Sequence, residues 1–224
     1  MKIKLPVIFV LLLLTVAISC KKNDDIIADQ DRRTANLVVV NASLNVLNYY
    51  RNGTRVNNTS SLYPLGSTGY IGVPVGERNY EFKKDGNPNV LFGLPLTLDS
   101  GMVYSLYVAG ETNADTFTSI DTLVADKDGK AMVRFVNASP GAGTLDLAVG
   151  DTVRFRTRAY KTTTVFLPVG PGRKRIRVYQ PGSAAAVIDE TRILQANRVY
   201  TLFTSGQLNG TGSAALGTGL VVNK

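Results

Sequence analysis

The chain of 224 residues contains no histidine, no tryptophan and a single cysteine. The absence of histidine removes the side chain that most often serves as a general base or metal ligand near neutral pH. The absence of tryptophan removes a strong aromatic platform for sugar rings, although ten tyrosines are present. One cysteine cannot form an intramolecular disulfide, so the fold has to be stabilised by its own core. These absences favour a binding or structural protein over an enzyme.

The single cysteine, Cys20, follows an apolar run that has lysines at its start. A basic start, an apolar core and small residues before a cleavage point are typical of a secretory signal. Its strictly apolar part, residues 7–14, is shorter than the about 20 residues that span a bilayer. Residues 16–20, Val-Ala-Ile-Ser-Cys, resemble a bacterial lipobox. The resemblance implies a lipoprotein signal peptide over 1–19 and lipid on Cys20; a non-lipidated signal cleaved nearby is the alternative.

Residues 20–34 comprise the cysteine and a polar segment of mixed charge. Such a segment has too few apolar residues to form a core, so it is predicted to be a flexible tether. Its beginning, Lys-Lys-Asn-Asp-Asp at 21–25, resembles the acidic export signal of surface lipoproteins in the Bacteroidota. That resemblance implies the outer face of the outer membrane. A solvated run of charges is the alternative.

The remaining chain repeats itself at a spacing of 96 residues. Val-Asn-Ala-Ser at 40–43 returns at 136–139, and Tyr-Ser-Leu-Tyr at 104–107 returns as Tyr-Thr-Leu-Phe at 200–203. The spacing is too long for a solenoid repeat and is the length of a small domain. We therefore expect a tandem duplication, with a first domain over 35–129 and a second over 130–224.

Two asparagines within this repeat, Asn41 and Asn137, each precede a serine by two residues. Asparagine and serine side chains commonly bond the backbone of the turn in which they lie. The pair is therefore predicted to stabilise the turn at a strand end in each half. A role in ligand binding is the alternative.

Each half has the pattern of β structure. Short runs rich in valine, tyrosine, phenylalanine and leucine are bounded by glycine, asparagine, aspartate and proline, as strands are. Asn-Gly at 52–53 predicts a hairpin, because both residues tolerate positive φ, and Gly-Asp at 150–151 takes the same place in the second half. About seven short strands in each half predict an all-β fold of two tandem antiparallel β-sandwiches of immunoglobulin-like type.

The strand at 132–140, Met-Val-Arg-Phe-Val-Asn-Ala-Ser-Pro, is followed by Leu-Asp-Leu at 145–147 and by the Gly-Asp turn. These residues resemble the start of the domain-of-unknown-function family numbered 4397. The resemblance extends over essentially the whole chain after the signal, in two tandem copies. It implies an envelope lipoprotein with a β-sandwich fold. The family has no established activity, so the resemblance implies no catalytic residues.

The acidic motifs of the chain do not form a catalytic or metal-binding set. Asp-Lys-Asp-Gly at 126–129 lacks most ligands of a calcium loop, including the closing glutamate, and is interpreted as a linker. Asp-Thr-Leu at 121–123 and Asp-Thr-Val at 151–153 resemble the Bacteroidota O-glycosylation pattern; ordinary strand and turn residues are the alternative. We therefore expect no enzyme activity, no metal and no cofactor.

Positive charge is concentrated in the second half. Lysine and arginine outnumber aspartate and glutamate by 12 to 4 over 131–224, against 7 to 9 over 35–130. Because side chains alternate between the two faces of a strand, two sets of three arginines are each expected to share a face. They are Arg154, Arg156, Arg158, Arg173, Arg175 and Arg177. Arginine binds phosphate and carboxylate bidentately, so adjacent sets would form an anion-binding surface. A solvated face that keeps the strands soluble is the alternative.

These patterns together predict a non-catalytic lipoprotein of the outer membrane and cell surface that acts as a binding or adhesion module for a glycan or a protein. Its expected partners are the membrane, through lipid on Cys20, and an anionic glycan or envelope protein. Nucleic acid is not expected in that compartment. A structural or assembly component of an envelope complex is the alternative.

Overall fold

A computed structural model of the protein describes residues 33–224, except the side chains of residues 152–154. The predicted signal peptide, the lipidation site Cys20 and nearly all of the tether lie outside the described residues. Over residues 33–224, every helix is too short or too polar to cross a membrane.

The first half contains eight strands in two sheets. The strands are β1 (Thr34–Asn41), β2 (Leu47–Arg51), β3 (Thr54–Arg55), β4 (Ile71–Pro74), β5 (Gly76–Lys84), β6 (Phe92–Leu98), β7 (Val103–Val108) and β8 (Thr116–Ile120). One sheet has the order β4-β1-β7-β8 and the other the order β3-β2-β5-β6. The predicted hairpin is confirmed: Asn52 and Gly53, with φ values of 49° and 75°, turn the chain between β2 and β3.

The second half repeats this topology with nine strands. They are β9 (Ala131–Asn137), β10 (Leu145–Val149), β11 (Thr152–Arg158), β12 (Thr162–Thr163), β13 (Leu167–Val169), β14 (Gly172–Tyr179), β15 (Ala186–Leu194), β16 (Val199–Ser205) and β17 (Gly217–Val222). One sheet has the order β12-β9-β16-β17, with β13 also paired to β9, and the other the order β11-β10-β14-β15. The sequence repeat is therefore also a repeat of strand order.

The predicted all-β sandwich fold is confirmed, and each sandwich also contains one parallel pair of strands. β1 runs parallel to β7, and β9 runs parallel to β16. Parallel neighbours need a long crossover connection, and in each half that connection contains the strands of the opposite sheet. An alternating pattern does not reveal strand direction, because it is the same for both directions.

The central strands of two sheets are buried on both faces. In β1, Leu37 and Val39 pack into the core of the first sandwich, whereas Val38 and Val40 pack against the second half. The cluster between the halves joins β1 and β7 to β9, β16 and β17; it consists of Val38, Val40, Ala42, Tyr107, Ala109, Val136, Ala138, Phe203 and Val221. The molecule therefore has four layers, with the sheets that contain β1 and β9 inside and the sheets that contain β2 and β10 outside.

Candidate functional site

The outer sheet of the second half presents three of the predicted arginines on one strand. In β14, Arg173, Arg175 and Arg177 project outward, while Ile176 and Val178 are buried in the second core. One face of this sheet is covered by the core and the other faces solvent, which produces the alternation that the sequence predicts.

Strand β11 departs from the predicted alternation. Two irregularities interrupt its register with β10, and Thr157 has a φ of 51°, in the left-handed region. A bulge adds a residue to one strand and moves the following residues to the opposite face. Arg158 consequently lies opposite the core residue Leu145 and is half-buried, whereas Arg156 is exposed. The prediction that Arg154, Arg156 and Arg158 share one face is therefore wrong for Arg158; the side chain of Arg154 lies outside the described part.

The two arginine-bearing strands are also not neighbours. β10 lies between β11 and β14, so the two sets are two strands apart, about 10 Å. The outward face of β10 includes Asp146, whose Oδ1 accepts a hydrogen bond from the amide of Thr157 at 2.5 Å. A carboxylate therefore lies between the two sets of arginines, and they do not form one continuous basic strip.

Two of the outward arginines have acidic partners. Arg175 Nε donates to Asp189 Oδ1 at 2.7 Å, and this hydrogen bond lowers the pKa of the Asp189 carboxyl. Arg177 donates to the carbonyl of Gly150 at 2.6 Å and lies 3.6 Å from a carboxylate oxygen of Asp151.

The remaining two outward arginines are free of such partners. Arg156 and Arg173 are exposed, and neither has an ion-pair partner among residues 33–224. These four residues, Arg156, Arg173, Arg175 and Arg177, are called the arginine face below. Its uncompensated charge is contributed mainly by Arg156 and Arg173.

A second polar group, which sequence reasoning missed, lies between the two halves. Arg134 of β9 and Asp121, which follows β8, form an ion pair at 2.5 Å, and their side chains are 2% and 0% exposed. The same guanidinium donates to Thr201 Oγ1 at 2.8 Å and to the hydroxyl of Tyr107 at 3.2 Å. Its central carbon lies 4.7 Å from the ring centroid of Phe166. Nε and Nη2 of Arg134 and both carboxylate oxygens of Asp121 thus have partners although they are buried, as a stable buried ion pair requires.

The network extends through a tyrosine and an asparagine. Tyr70 donates to Asp121 Oδ2 at 2.5 Å and accepts from Asn223 Nδ2 at 2.7 Å. Burial, followed by the hydrogen bond to Asp121, raises the pKa of Tyr70. Thr201 donates to Asn223 Oδ1 at 2.7 Å, so the network closes on the second half. These groups therefore join the two halves. The sequence feature that could have indicated this network is Arg134, a charged residue in the otherwise apolar run Met-Val-Arg-Phe-Val at 132–136.

The acidic motif at 126–129 forms a turn. Asp126 Oδ1 accepts hydrogen bonds from the amides of Asp128 at 2.8 Å and Lys130 at 3.2 Å. Within the described residues, no three metal-ligating side chains lie close enough together to hold a metal ion. In the motif at 121–123, Asp121 is buried in the ion pair, and Thr122 is exposed.

The chain resembles a protein family and a solved structure. The family model described as "Domain of unknown function (DUF4397)" matches residues 35–148 and 131–222. No curated protein matches the chain. A solved structure described as alpha-glucan recognition by family 41 carbohydrate-binding modules from streptococcal virulence factors is similar at 15% identity and a TM-score of 0.26, over 75% of this chain and 92% of that chain.

Proposed function

The chain belongs to the family described as a domain of unknown function, DUF4397, and we propose that it is a non-catalytic binding module of the cell envelope. In this proposal lipid on Cys20 holds the protein at the outer membrane, and residues 21–34 carry the two sandwiches away from the cell surface. The expected ligand is anionic: an acidic glycan, or an acidic patch of another envelope protein.

The proposal depends mainly on the exposed, uncompensated charge of Arg156 and Arg173. Both lie on the outer sheet of the second half, the side of the molecule that faces away from the first half. Guanidinium groups bind carboxylate and phosphate or sulfate oxygens through two parallel hydrogen bonds. Both arginines lie on strands of a hydrogen-bonded sheet, so the backbone that carries them is ordered before binding.

Charge reversal tests the proposal. Full-length protein in detergent would be titrated with an acidic polysaccharide, polygalacturonate, at low and physiological salt. We expect Arg156→Glu with Arg173→Glu to weaken binding by about tenfold or more, because two bidentate contacts become repulsive. The matched control is Lys127→Glu with Lys130→Glu, two exposed linker residues that change the net charge equally. Equal losses in both variants, or no binding at low salt, would argue against the arginine face.

The proposed location has its own test. Intact cells that produce the wild-type protein, Cys20→Ala, or a version with residues 21–25 replaced by uncharged residues would be treated with an external protease. We expect the wild type to be digested, the Cys20→Ala protein to be lost from the membrane fraction, and the third version to be protected. Protection of the wild type on intact cells would contradict surface exposure.

A further inference from the structure

A long connection in the first half forms the wall of a cavity. Residues 56–70 lead from β3 to β4, which belong to opposite sheets of the first sandwich. The cavity that they border is partly open to solvent and has a volume of about 430 Å³, and Tyr49 of β2 also lines it. In the second half, the corresponding connection between β11 and β13 is shorter, residues 159–166, and part of it is strand β12. A volume of this size is typical of a small-molecule site, and long irregular loops in compact domains are often functional.

The first part of the loop is held by a buried asparagine. Asn57 Oδ1 accepts from the amide of Tyr49 at 3.0 Å, and its Nδ2 donates to Asn48 Oδ1 at 3.0 Å and to the carbonyl of Ser60 at 3.1 Å. This amide therefore uses both its donor and acceptor atoms to fix the loop against β2.

Two further contacts hold the rest of the loop. Leu62 exchanges both backbone hydrogen bonds with Leu47, at 2.9 and 3.0 Å. Thr68 Oγ1 accepts from the amide of Val39 at 2.9 Å, and the amide of Thr68 donates to the carbonyl of Val39 at the same distance. The wall of the cavity is thus fixed to β1 and β2 before any ligand arrives, which favours binding because little ordering remains to be done.

Most of the residues that line the cavity are of polar, uncharged types. Nine of its 14 residues are asparagine, serine, threonine or tyrosine, and none is charged. Among residues 33–224, the side chains of Asn58, Thr59, Ser60 and Ser67 have no hydrogen-bond partner, so their donors and acceptors are available. Tyr63 is 63% exposed at the rim. An exposed aromatic ring beside unpaired hydroxyl and amide groups suits a ligand that has both an apolar face and hydrogen-bonding edges.

Tyr49 supplies the second, independent observation. Its side chain is 1% exposed and stacks on Phe82 at 5.9 Å between ring centroids, yet its hydroxyl has no hydrogen-bond partner. A buried hydroxyl without a partner is costly in a folded protein and calls for an explanation. Burial raises the pKa of Tyr49, with a smaller contribution from Tyr80, and the neighbouring Thr68 side chain offsets only part of that rise, so the hydroxyl keeps its proton. The hydroxyl has almost no accessible surface, so a ligand oxygen would become its acceptor once a neighbouring side chain such as Thr68 moves aside.

We propose that this cavity is a binding site for a neutral saccharide. One face of a sugar ring packs on Tyr63, its hydroxyls bond the free side chains of residues 58–60 and 67, and one sugar oxygen accepts from Tyr49. The site goes beyond the proposed function, because it lies in the other half of the molecule and takes an uncharged ligand. The absence of charged residues from the lining distinguishes it from the arginine face.

Calorimetric or NMR titration of the full-length protein in detergent tests the site. The probes are neutral tetrasaccharides of glucose, mannose and galactose. We expect at least one to bind, with Tyr63→Ala weakening it by about tenfold or more, since the stacking surface is lost. Tyr49→Phe should weaken binding by about threefold to tenfold, the value of one hydrogen bond. It should not lower the melting temperature, because the hydroxyl has no partner in the unliganded protein.

Tyr80→Phe is the matched control. Tyr80 is also fully buried with an unpaired hydroxyl, but it does not line the cavity. It should leave saccharide binding unchanged. The site is refuted if none of the probes binds, or if Tyr49→Phe and Tyr80→Phe affect binding equally.

The two proposed sites can fail separately. Arg156→Glu with Arg173→Glu should leave tetrasaccharide binding intact, and Tyr63→Ala should leave polygalacturonate binding intact. If Tyr63→Ala instead abolishes polygalacturonate binding as well, the two sites are not separate and the saccharide site as proposed is wrong.

Discussion

The first and second halves share a strand order but differ in the parts of the fold that remain exposed. The first half has the longer connection between opposite sheets, residues 56–70, and a cavity beneath it. The second half has a shorter connection, and its outer sheet presents the arginine face. The alternation of buried and exposed residues along the strands therefore maintains the fold in both copies. Loops and outward faces differ between the copies because they contribute little to the core.

The halves also differ where they meet. Val38 pairs with Ser105 across β1 and β7, and Arg134 pairs with Thr201 at the equivalent place across β9 and β16. Asp121 donates its amide to the carbonyl of Val103, as Asn223 does to the carbonyl of Val199. One half therefore supplies the cation of the buried ion pair and the other supplies the anion. This asymmetry favours contact between unlike halves over contact between two identical ones, because a like pair would lack one charge.

The largest expected effect on stability comes from removing one charge of this asymmetric ion pair. Arg134→Met leaves Asp121 buried without its cation, so we expect the free energy of unfolding to fall by about 3–5 kcal/mol in chemical denaturation. Adding Asp121→Asn, which copies the residue of the second half, should recover most of the loss, because the uncompensated charge is removed. A fall of less than about 1 kcal/mol for Arg134→Met alone would show that the ion pair does not join the halves.

A smaller loss is expected from a glycine that differs between the halves. Phe117 lies opposite Tyr107 in the first half, whereas Gly219 lies opposite Phe203 in the second. A Cβ at Gly219 would lie 2.2 Å from the Phe203 ring and 2.8 Å from the carbonyl oxygen of Leu65 in the first-half loop. We therefore expect Gly219→Ala to lower stability by about 1–3 kcal/mol, measured by thermal unfolding.

Gly72 provides the control for that substitution. It also lies in a strand, β4, but a Cβ there would meet no atom within 4 Å. Gly72→Ala should therefore leave stability unchanged or slightly higher, since it reduces the freedom of the unfolded chain. Equal losses at the two glycines would show that the contact between the loop and β17 is unimportant.

The smallest expected effect on stability is the ionisation of Tyr160 at alkaline pH. Tyr160 of the second half lies edge-on to Phe117 of the first, with 6.4 Å between ring centroids. Burial, followed by repulsion from Asp115, raises the pKa of Tyr160 from 10.0 to about 12. Above pH 10 the unfolded chain loses this proton while the folded chain keeps it, so stability should decline as pH rises from about 10 to 12.

The measurement compares the melting temperatures of wild type and Tyr160→Phe at pH 7, 10 and 11. The hydroxyl of Tyr160 is buried without a partner, so the substitution should cost little at pH 7. The variant should then lose less stability than the wild type on going to pH 11. Identical declines would mean that other groups govern alkaline unfolding.

Much of the fold could be predicted because its signals are local. The turn prediction for Asn41 and Asn137 is confirmed: their side-chain oxygens accept from the amides of Ser43 and Ser139 at 2.9 and 3.1 Å. The alternation of β14 was also correct, since a strand with one buried face must place its apolar residues on that side. The error at Arg158 arose in β11, where bulges shift the faces without a clear sequence signal.

Residue pattern was therefore enough to establish a duplicated all-β fold and a basic second half, because period-two alternation, turn residues and charge are properties of neighbouring residues. Only the tertiary structure decided which faces became interior. Arg134 and Asp121 are 13 residues apart in the chain, but their ion pair forms only because two sheets from different halves stack. The cavity beside Tyr49 likewise depends on a loop returning over β2 from the opposite sheet. Such contacts depend on how whole surfaces meet, which no local pattern encodes.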